Sequence, residues 1–375
     1  MKVYIIKQAK SPYKTEFFNE LGKYIDLSII YDYKKAYNRD DSWSSKKAKN
    51  HKEIFLRSFK FFGGYSISFG FNKYLNKDDS LIIVNDYSTL TGILSILYLK
   101  YKNIPFILNI DGGMIKKDNW IKYSIKKFLI SSATYWLSPS KNSDKYLIHY
   151  GATEDKIYRY PFTSIKENDI VNYSSNFDEK KEIRNKLDIN SYDKIILGVG
   201  KFIYRKGFDI LLKAHKNNAD DVALLIVGGS PIEEYKKIIK NNNLENVFFI
   251  NFKKKDILAD YFKAADLFIL PTREDIWGLV INEAMAYGLP VITTENCVAG
   301  NELIDNGENG YIIQNENIEE LSKKMKTILE NPKLMNNMSK ANIKKIDNYT
   351  IESMAKRHFE ILKEIDTLKN VFKYR

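Results

Sequence analysis

Cysteine is nearly missing from this 375-residue chain: Cys297 stands alone, so no intrachain disulfide can form, in keeping with a reducing compartment. Histidine is scarce as well. The four present, His51, His149, His215 and His358, are scattered without metal-ligand spacing, and no metal or other cofactor is expected. No stretch reaches the ~18 uninterrupted apolar residues that cross a bilayer, and the apolar run at residues 3–6 is too short for a signal-peptide core. No internal repeat is visible. These absences lead to the expectation of a cytoplasmic protein.

What is present suits two ordinary domains. Hydrophobic residues make up 44% and aromatics 14%, and a single core stops growing near ~250–300 residues. The net charge of +12 is unevenly placed. Residues 1–170 hold 28 Lys and Arg against 17 Asp and Glu, a surplus of 11, which leaves 31 against 30 for the remainder. A one-sided surplus points to an anionic partner for the first half, such as membrane headgroups or a phosphate-bearing substrate. Nucleic acid is not expected, since no binding motif accompanies the charge.

Short runs of Val, Ile and Leu alternate with helix-length amphipathic segments. Strands are expected at 3–6, 27–31, 81–84, 106–110 and 135–138, then at 195–199, 223–227, 247–250, 267–270, 291–293 and 310–312. Continuous apolar runs are what a parallel sheet covered on both faces requires. Helices are expected between them at 88–101, 120–131, 206–216, 231–241 and 282–287, and a last one over 350–368. The fold class is therefore α/β, with two doubly wound parallel sheets. The polar stretch 164–193 marks the junction. The domains are set at 1–165 and 190–350, with a C-terminal helix at about 352–375 packing back on the first.

Residues with chemistry concentrate in the second half. The strand at 195–199 runs into Gly198-Val199-Gly200-Lys201, and Tyr204-Arg205-Lys206-Gly207 opens a helix. Glycine lets backbone approach a ligand, a helix N-terminus presents free N–H groups to phosphate, and Lys201, Arg205 and Lys206 add positive charge. A second turn, Gly228-Gly229-Ser230-Pro231, follows the next strand in the same way. Residues 265–292 read ADLFILPTREDIWGLVINEAMAYGLPVI. A buried strand ends at Pro271, the loop carries Arg273, Glu274 and Asp275, and Trp277-Gly278-Leu279 leads into a helix bearing Glu283. Acids beside a phosphate-binding turn are suited to sugar hydroxyls, as where a carboxylate grips a ribose.

This stretch resembles the signature of the retaining glycosyltransferases of family 4, which have the GT-B fold of two Rossmann-like domains facing a cleft. That pattern is an acid, seven residues, then Glu, followed by Ala-Met-Ala and Gly-Leu-Pro-Val-Ile; here the pair is Asp275 and Glu283. Ile276-Trp277-Gly278-Leu279 stands where the family has Gly-Phe-Gly-Leu. The resemblance implies a donor site for a nucleotide sugar. Lys201 and Lys206 would lie on the diphosphate, Glu283 on the ribose, and Asp275 on the donor sugar with backbone N–H groups of Ile276 to Leu279. Gly200, Arg205, Gly228 and Glu274 complete that site.

The chain departs from the family in places. The family usually has Glu at Asp275, and adjacent Glu274 is the alternative acid. Where the family often shows His-Gly after the fourth strand, this chain reads Asn109-Ile110-Asp111-Gly112-Gly113, so Asp111 takes that place and joins Lys206 and Asp275 as a catalytic residue. No glycine occurs from Lys7 to Thr15, and no Asp-x-Asp triplet occurs, so a metal–diphosphate site has no candidate. In the first half Phe17 to Gly22 and Arg39 to Trp43 resemble capsule and polysaccharide assembly transferases. On a helix over 120–129, Lys122, Lys126 and Lys127 would flank an apolar stripe, fit either for the core or for an anionic membrane surface.

The expected function is sugar transfer to a glycan or lipid-linked saccharide acceptor in bacterial surface polysaccharide synthesis, at the inner face of the plasma membrane. Another GT-B activity, such as a sugar-nucleotide epimerase, is the alternative within the fold. A basic nucleic-acid-binding protein is the alternative outside it.

Overall fold

A computed structural model describes residues 1–33, 46–60, 66–75, 80–85, 87–171, 177–218 and 221–373; Arg39 to Trp43 lie outside the described residues. The chain forms two compact units, Met1–Ser164 with Thr350–Arg375, and Ile165–Tyr349.

The first unit holds β1 (Lys2–Ala9), β2 (Asp26–Tyr33), β3 (Lys52–Phe55), β4 (Arg57–Lys60), β5 (Ser66–Phe69), β6 (Ser80–Val84), β7 (Ile107–Asn109), β8 (Tyr135–Ser138) and β9 (Ile157–Arg159). Seven of these form one sheet in the order β3-β2-β1-β6-β7-β8-β9, parallel throughout, while β4 and β5 make a separate antiparallel pair. The second unit holds β10 (Lys194–Val199), β11 (Val222–Val227), β12 (Val247–Ile250), β13 (Leu267–Leu270), β14 (Val291–Thr294) and β15 (Gly310–Ile313). They form a parallel sheet in the order β12-β11-β10-β13-β14-β15. Both sheets are Rossmann-like, each reversing its strand order once: between β1 and β6, and between β10 and β13.

The central strands are buried along their whole length because helices cover both faces, which is why β11 reads VALLIV and β13 LFIL without a polar alternation. The edge strands β3 (KEIF) and β9 (IYR) escape a reading based on apolar runs, since an edge needs only one paired neighbour and tolerates charge. Polar N-caps set several helix starts: the Thr89, Asn119 and Ser140 side chains accept from the backbone N–H groups of Gly92, Lys122 and Ser143.

The polar stretch 165–193 is built into the second unit. From the helix Phe177–Lys186, Lys180 Nζ and Arg184 Nη2 each reach a different oxygen of Asp266 at 2.6 Å, and Asp266 also accepts from the Ile195 N–H at 2.7 Å. The C-terminal helix Ile351–Lys373 belongs to the first unit. Its Phe359 stacks on Tyr24, its Glu364 accepts from the Tyr158 hydroxyl, and its His358 ring meets Phe17 and Tyr160.

Candidate functional site

In an open parallel sheet the helices on either side of the reversal leave to opposite faces, so a crevice opens at the carboxyl ends of the two strands. In the second unit those strands are β10 and β13. The chain leaves β10 through Gly200 and Lys201, makes a short turn of 3-10 helix at Tyr204–Lys206, and enters the helix Phe208–His215 through Gly207. Gly207 has φ +69° and a side chain there would start 2.0 Å from the Pro271 carbonyl oxygen. Only glycine lets the turn after β10 lie against the end of β13. Gly228, at the end of β11, has φ +151° and a Cβ on it would meet the Gly200 carbonyl at 1.9 Å. The two glycine turns are thus in backbone contact with each other.

On this base the charged residues converge. Lys206 Nζ donates to Asp275 Oδ2 at 2.5 Å, Arg205 Nη1 lies 3.5 Å from Asp275 Oδ1, and the same Nη1 donates to the Glu274 carbonyl at 2.7 Å. Asp275 is buried, held by its N–H on the Asn296 carbonyl and by its own carbonyl on the Val298 N–H. Lys201 is exposed on the rim.

The loop itself is pinned from below. Arg273 makes a two-pronged bond to Asp209 at 2.7 and 2.8 Å, donates to the Tyr204 carbonyl and to Glu316, and lies 3.8 Å from the Tyr204 ring. Burial would raise the Asp209 carboxyl, but the Arg273 guanidinium outweighs it and holds the group below the ordinary carboxylate value. Further along, Trp277 is buried and donates from Nε1 to Asn282 at 3.0 Å, while its carbonyl accepts from the Ala299 N–H and the Cys297 thiol. Burial pushes that thiol up to about 11, so Cys297 is a packing residue. Ile276 is exposed, and Gly278 caps the helix Leu279–Ala286, on which Glu283 is half-buried.

The structure therefore brings Gly200, Arg205, Lys206, Gly228, Glu274 and Asp275 together, with Ile276, Trp277, Gly278, Leu279 and Glu283 on the following loop and helix. Asp111 belongs to the first unit. It follows β7, and its carboxylate accepts from Lys14 Nζ at 2.6 Å. Lys14, in the helix Pro12–Leu21, is only 2% exposed, and its ammonium lies 4.6 Å from the Phe162 ring. Burial raises the Asp111 carboxyl and Lys14 more than offsets it, so the group is held below the usual carboxylate range. Beside it Tyr160 donates to the Ile110 carbonyl.

Three site residues escaped the sequence reading. Lys14 stands 97 residues from Asp111, and one lysine in a lysine-rich chain gives no local signal. Asp209 reads as an ordinary acid in a first helical turn. Asn282 has a signal, since with the already named Trp277 it makes two polar-capable side chains five apart across a helix start, which becomes informative only once both are known to be buried.

Comparison with known proteins adds to this geometry. Residues 179–345 match the family model described as glycosyl transferases group 1. An uncharacterized glycosyltransferase of Haemophilus influenzae is 34% identical over 168 residues, which is 43% of this chain and 47% of that relative, so the match spans about half of each. The capsular polysaccharide biosynthesis glycosyltransferase CapM of Staphylococcus aureus is 24% identical over 324 residues, 76% of this chain and 82% of that one. Among solved structures, HepE of Anabaena in complex with UDP superposes with a TM-score of 0.78 at 17% identity, covering 97% of this chain and 100% of that one.

Proposed function

We propose that the chain is a family 4-like glycosyltransferase of group 1 and that, on its GT-B fold, it moves a sugar from a nucleoside diphosphate to a glycan acceptor in surface polysaccharide synthesis, with retention at the anomeric carbon and without a metal. The observation that carries the reading is the Arg205–Lys206–Asp275 cluster at the reversal point of the second sheet. In the free site the acid partners the cations. An incoming diphosphate competes for them, freeing Asp275 to accept from hydroxyls of the donor sugar.

As the bond to the departing diphosphate breaks, negative charge builds on its oxygens. Lys206, Arg205 and Lys201 stabilise that charge; one preorganised donor of this kind is worth about 3–4 kcal/mol. Glu283 accepts from the ribose hydroxyls. Asp111, an acceptor throughout the physiological range, takes a hydroxyl of the sugar or acceptor. The acceptor is lipid-linked and met at the inner face of the membrane. Support for the polysaccharide assignment is the likeness to CapM, and HepE is known bound to UDP, which makes UDP the first base to try.

The test is a thermal-shift series with UDP, GDP and ADP and their sugar conjugates, with Mg²⁺ and with chelator. The expected result is a rise in melting temperature with one base, equal in both conditions, because a ligand bound only by the native state stabilises it. Folded protein that responds to no nucleotide sinks the donor site. Isomerisation of the sugar nucleotide with no acceptor present assigns the same site to an epimerase, and proton NMR of a transferred product reads retention directly.

A further inference from the structure

The helix Trp120–Ser131 in the first unit buries only Leu129 and Ile130. By contrast Phe208–His215 buries seven of its eight residues. What Trp120–Ser131 turns outward is apolar: Trp120 is 80% exposed, and Ile121, Ile125 and Phe128 are exposed with it. At 100° per residue these four fall on one arc of the helix, so they form a continuous stripe. The Lys100 ammonium lies 4.2 Å from the Phe128 ring, and Ile115 and Tyr101 are exposed as well. A contiguous apolar face of this kind on a soluble surface marks an interaction site.

Charge decides among the possible occupants. Residues 90–131 contain seven lysines (100, 102, 116, 117, 122, 126 and 127) and two acids, Asp111 and Asp118. Neither acid contributes to the rim. Asp111 is tied to Lys14, and the Asp118 side chain is 2% exposed, drawn in by Lys126, the Tyr150 hydroxyl and Lys122. Hydrogen bonds from Lys126 and Tyr150 hold its carboxyl far below the usual range. The face is therefore an apolar stripe with tryptophan at one end, edged by lysines that outnumber the one acid, Asp118, drawn in beneath Lys122 and Lys126. Tryptophan and lysine at the edges of an apolar stripe are the composition that lies in the headgroup layer of an anionic bilayer.

We propose that the Trp120–Ser131 helix docks the first unit on an anionic lipid surface, with Trp120, Ile121, Ile125 and Phe128 entering the headgroup–acyl boundary and the surrounding lysines meeting lipid phosphates. The inference rests on the first unit alone. Its use, to bring the unit to a lipid-linked acceptor, rests on the sugar-transfer reading.

The experiment is flotation of the full chain with vesicles of phosphatidylglycerol mixed with phosphatidylcholine, and with phosphatidylcholine alone. The folded chain floats with the anionic vesicles and stays behind with the neutral ones. Ile121→Glu with Ile125→Glu lowers the floating fraction about tenfold or more, and Lys122→Glu with Lys127→Glu lowers it several-fold. Two results overturn the proposal: no flotation of the folded wild-type chain, or equal flotation of the Ile121→Glu/Ile125→Glu variant. A third is a wild-type dimer, seen by light scattering, that this variant disperses while neither protein binds vesicles; the face then joins two copies. The nucleotide-induced melting shift is measured on the same samples. It is kept in the variant if the chain is folded, and its absence from the wild-type chain would sink the donor site while leaving flotation to judge the membrane face.

Discussion

In the first unit the acid–cation pair at the carboxyl end of the sheet turns its lysine inward: Lys14 is 2% exposed behind Phe162, and Asp111, 23% exposed, faces out. In the second the acid is turned inward with Lys206 part-buried against it, and Arg205, its side chain 43% exposed, stands at the rim. A lysine desolvated on all sides is held by its carboxylate, since leaving either group alone in that environment is costly. Its charge serves to keep Asp111 ionised. A cation at a rim such as Arg205 keeps its exchange with solvent and can trade a carboxylate for a phosphate at little desolvation cost. The same pairing of residue types thus makes a fixed acceptor in one unit and a charge-exchanging anion site in the other.

Matched substitutions test that contrast. Lys206→Met should lower turnover about 10²–10³-fold, the loss seen when one donor to developing charge is removed, and cost less stability than the loss of Lys14, because Arg205 still faces the Asp275 carboxylate. Lys14→Met should destabilise the first unit by about 2–3 kcal/mol, the lower end for breaking a buried pair because Asp111 keeps some water, as read by chemical unfolding. If Lys14→Met is stable and Lys206→Met unfolds the chain, the two roles are reversed.

A smaller effect is expected at Gly207. An alanine there carries φ +69° and places its Cβ 2.0 Å from the Pro271 carbonyl. The cost is about 2–3 kcal/mol for strain and displaced backbone. It should fall on the second unit only, so calorimetry should show the melt of one unit lowered and the other kept, with nucleotide binding lost alongside. An unshifted melt would mean that the turn after β10 has room to move and that the contact with β13 is not what sets Lys206 in place.

The two units were not equally readable in sequence. In the second, the reversal of strand order forces tight turns at the ends of β10, β11 and β13, so Gly200, Gly207, Gly228 and Gly278 fall at spacings that a single chain displays. The loop acid Asp275 and Glu283 follow at a fixed distance along the same segment. In the first unit nothing local announces the site. Asp111 is named only through the family resemblance, and Lys14, His358 and Tyr160 reach it from three distant segments, contacts that exist only after folding. The helix Trp120–Ser131 was readable as amphipathic, yet its sequence does not say which face packs inward. The structure resolves this: the stripe faces out, while Leu129 and Ile130 are buried and Tyr123 packs against Tyr150.

The smallest expected effect concerns two buried histidines, one from each unit. His358 is inside the first, its Nδ1 bonded to the Met354 carbonyl, and burial lowers it to about 3; burial lowers His215 in the second to about 4. Both folded-state values lie below the ordinary histidine value, so the unfolded chain takes up the proton first. The stability tied to each group is complete above about pH 6.5 and erodes as pH falls towards the folded-state value. From neutral pH to about pH 5 each unit should lose up to ~2 kcal/mol, at 1.36 kcal/mol per pH unit below the unfolded value. His358→Phe keeps the ring against Phe17 and Tyr160 and removes the titrating group. It should reduce the acid dependence of the first unit's melt, His51 keeping its own share because burial lowers it too, and leave the second's unchanged. If both melts flatten together, the units unfold as one cooperative body, and their separate treatment of charge would have to be explained within a single core.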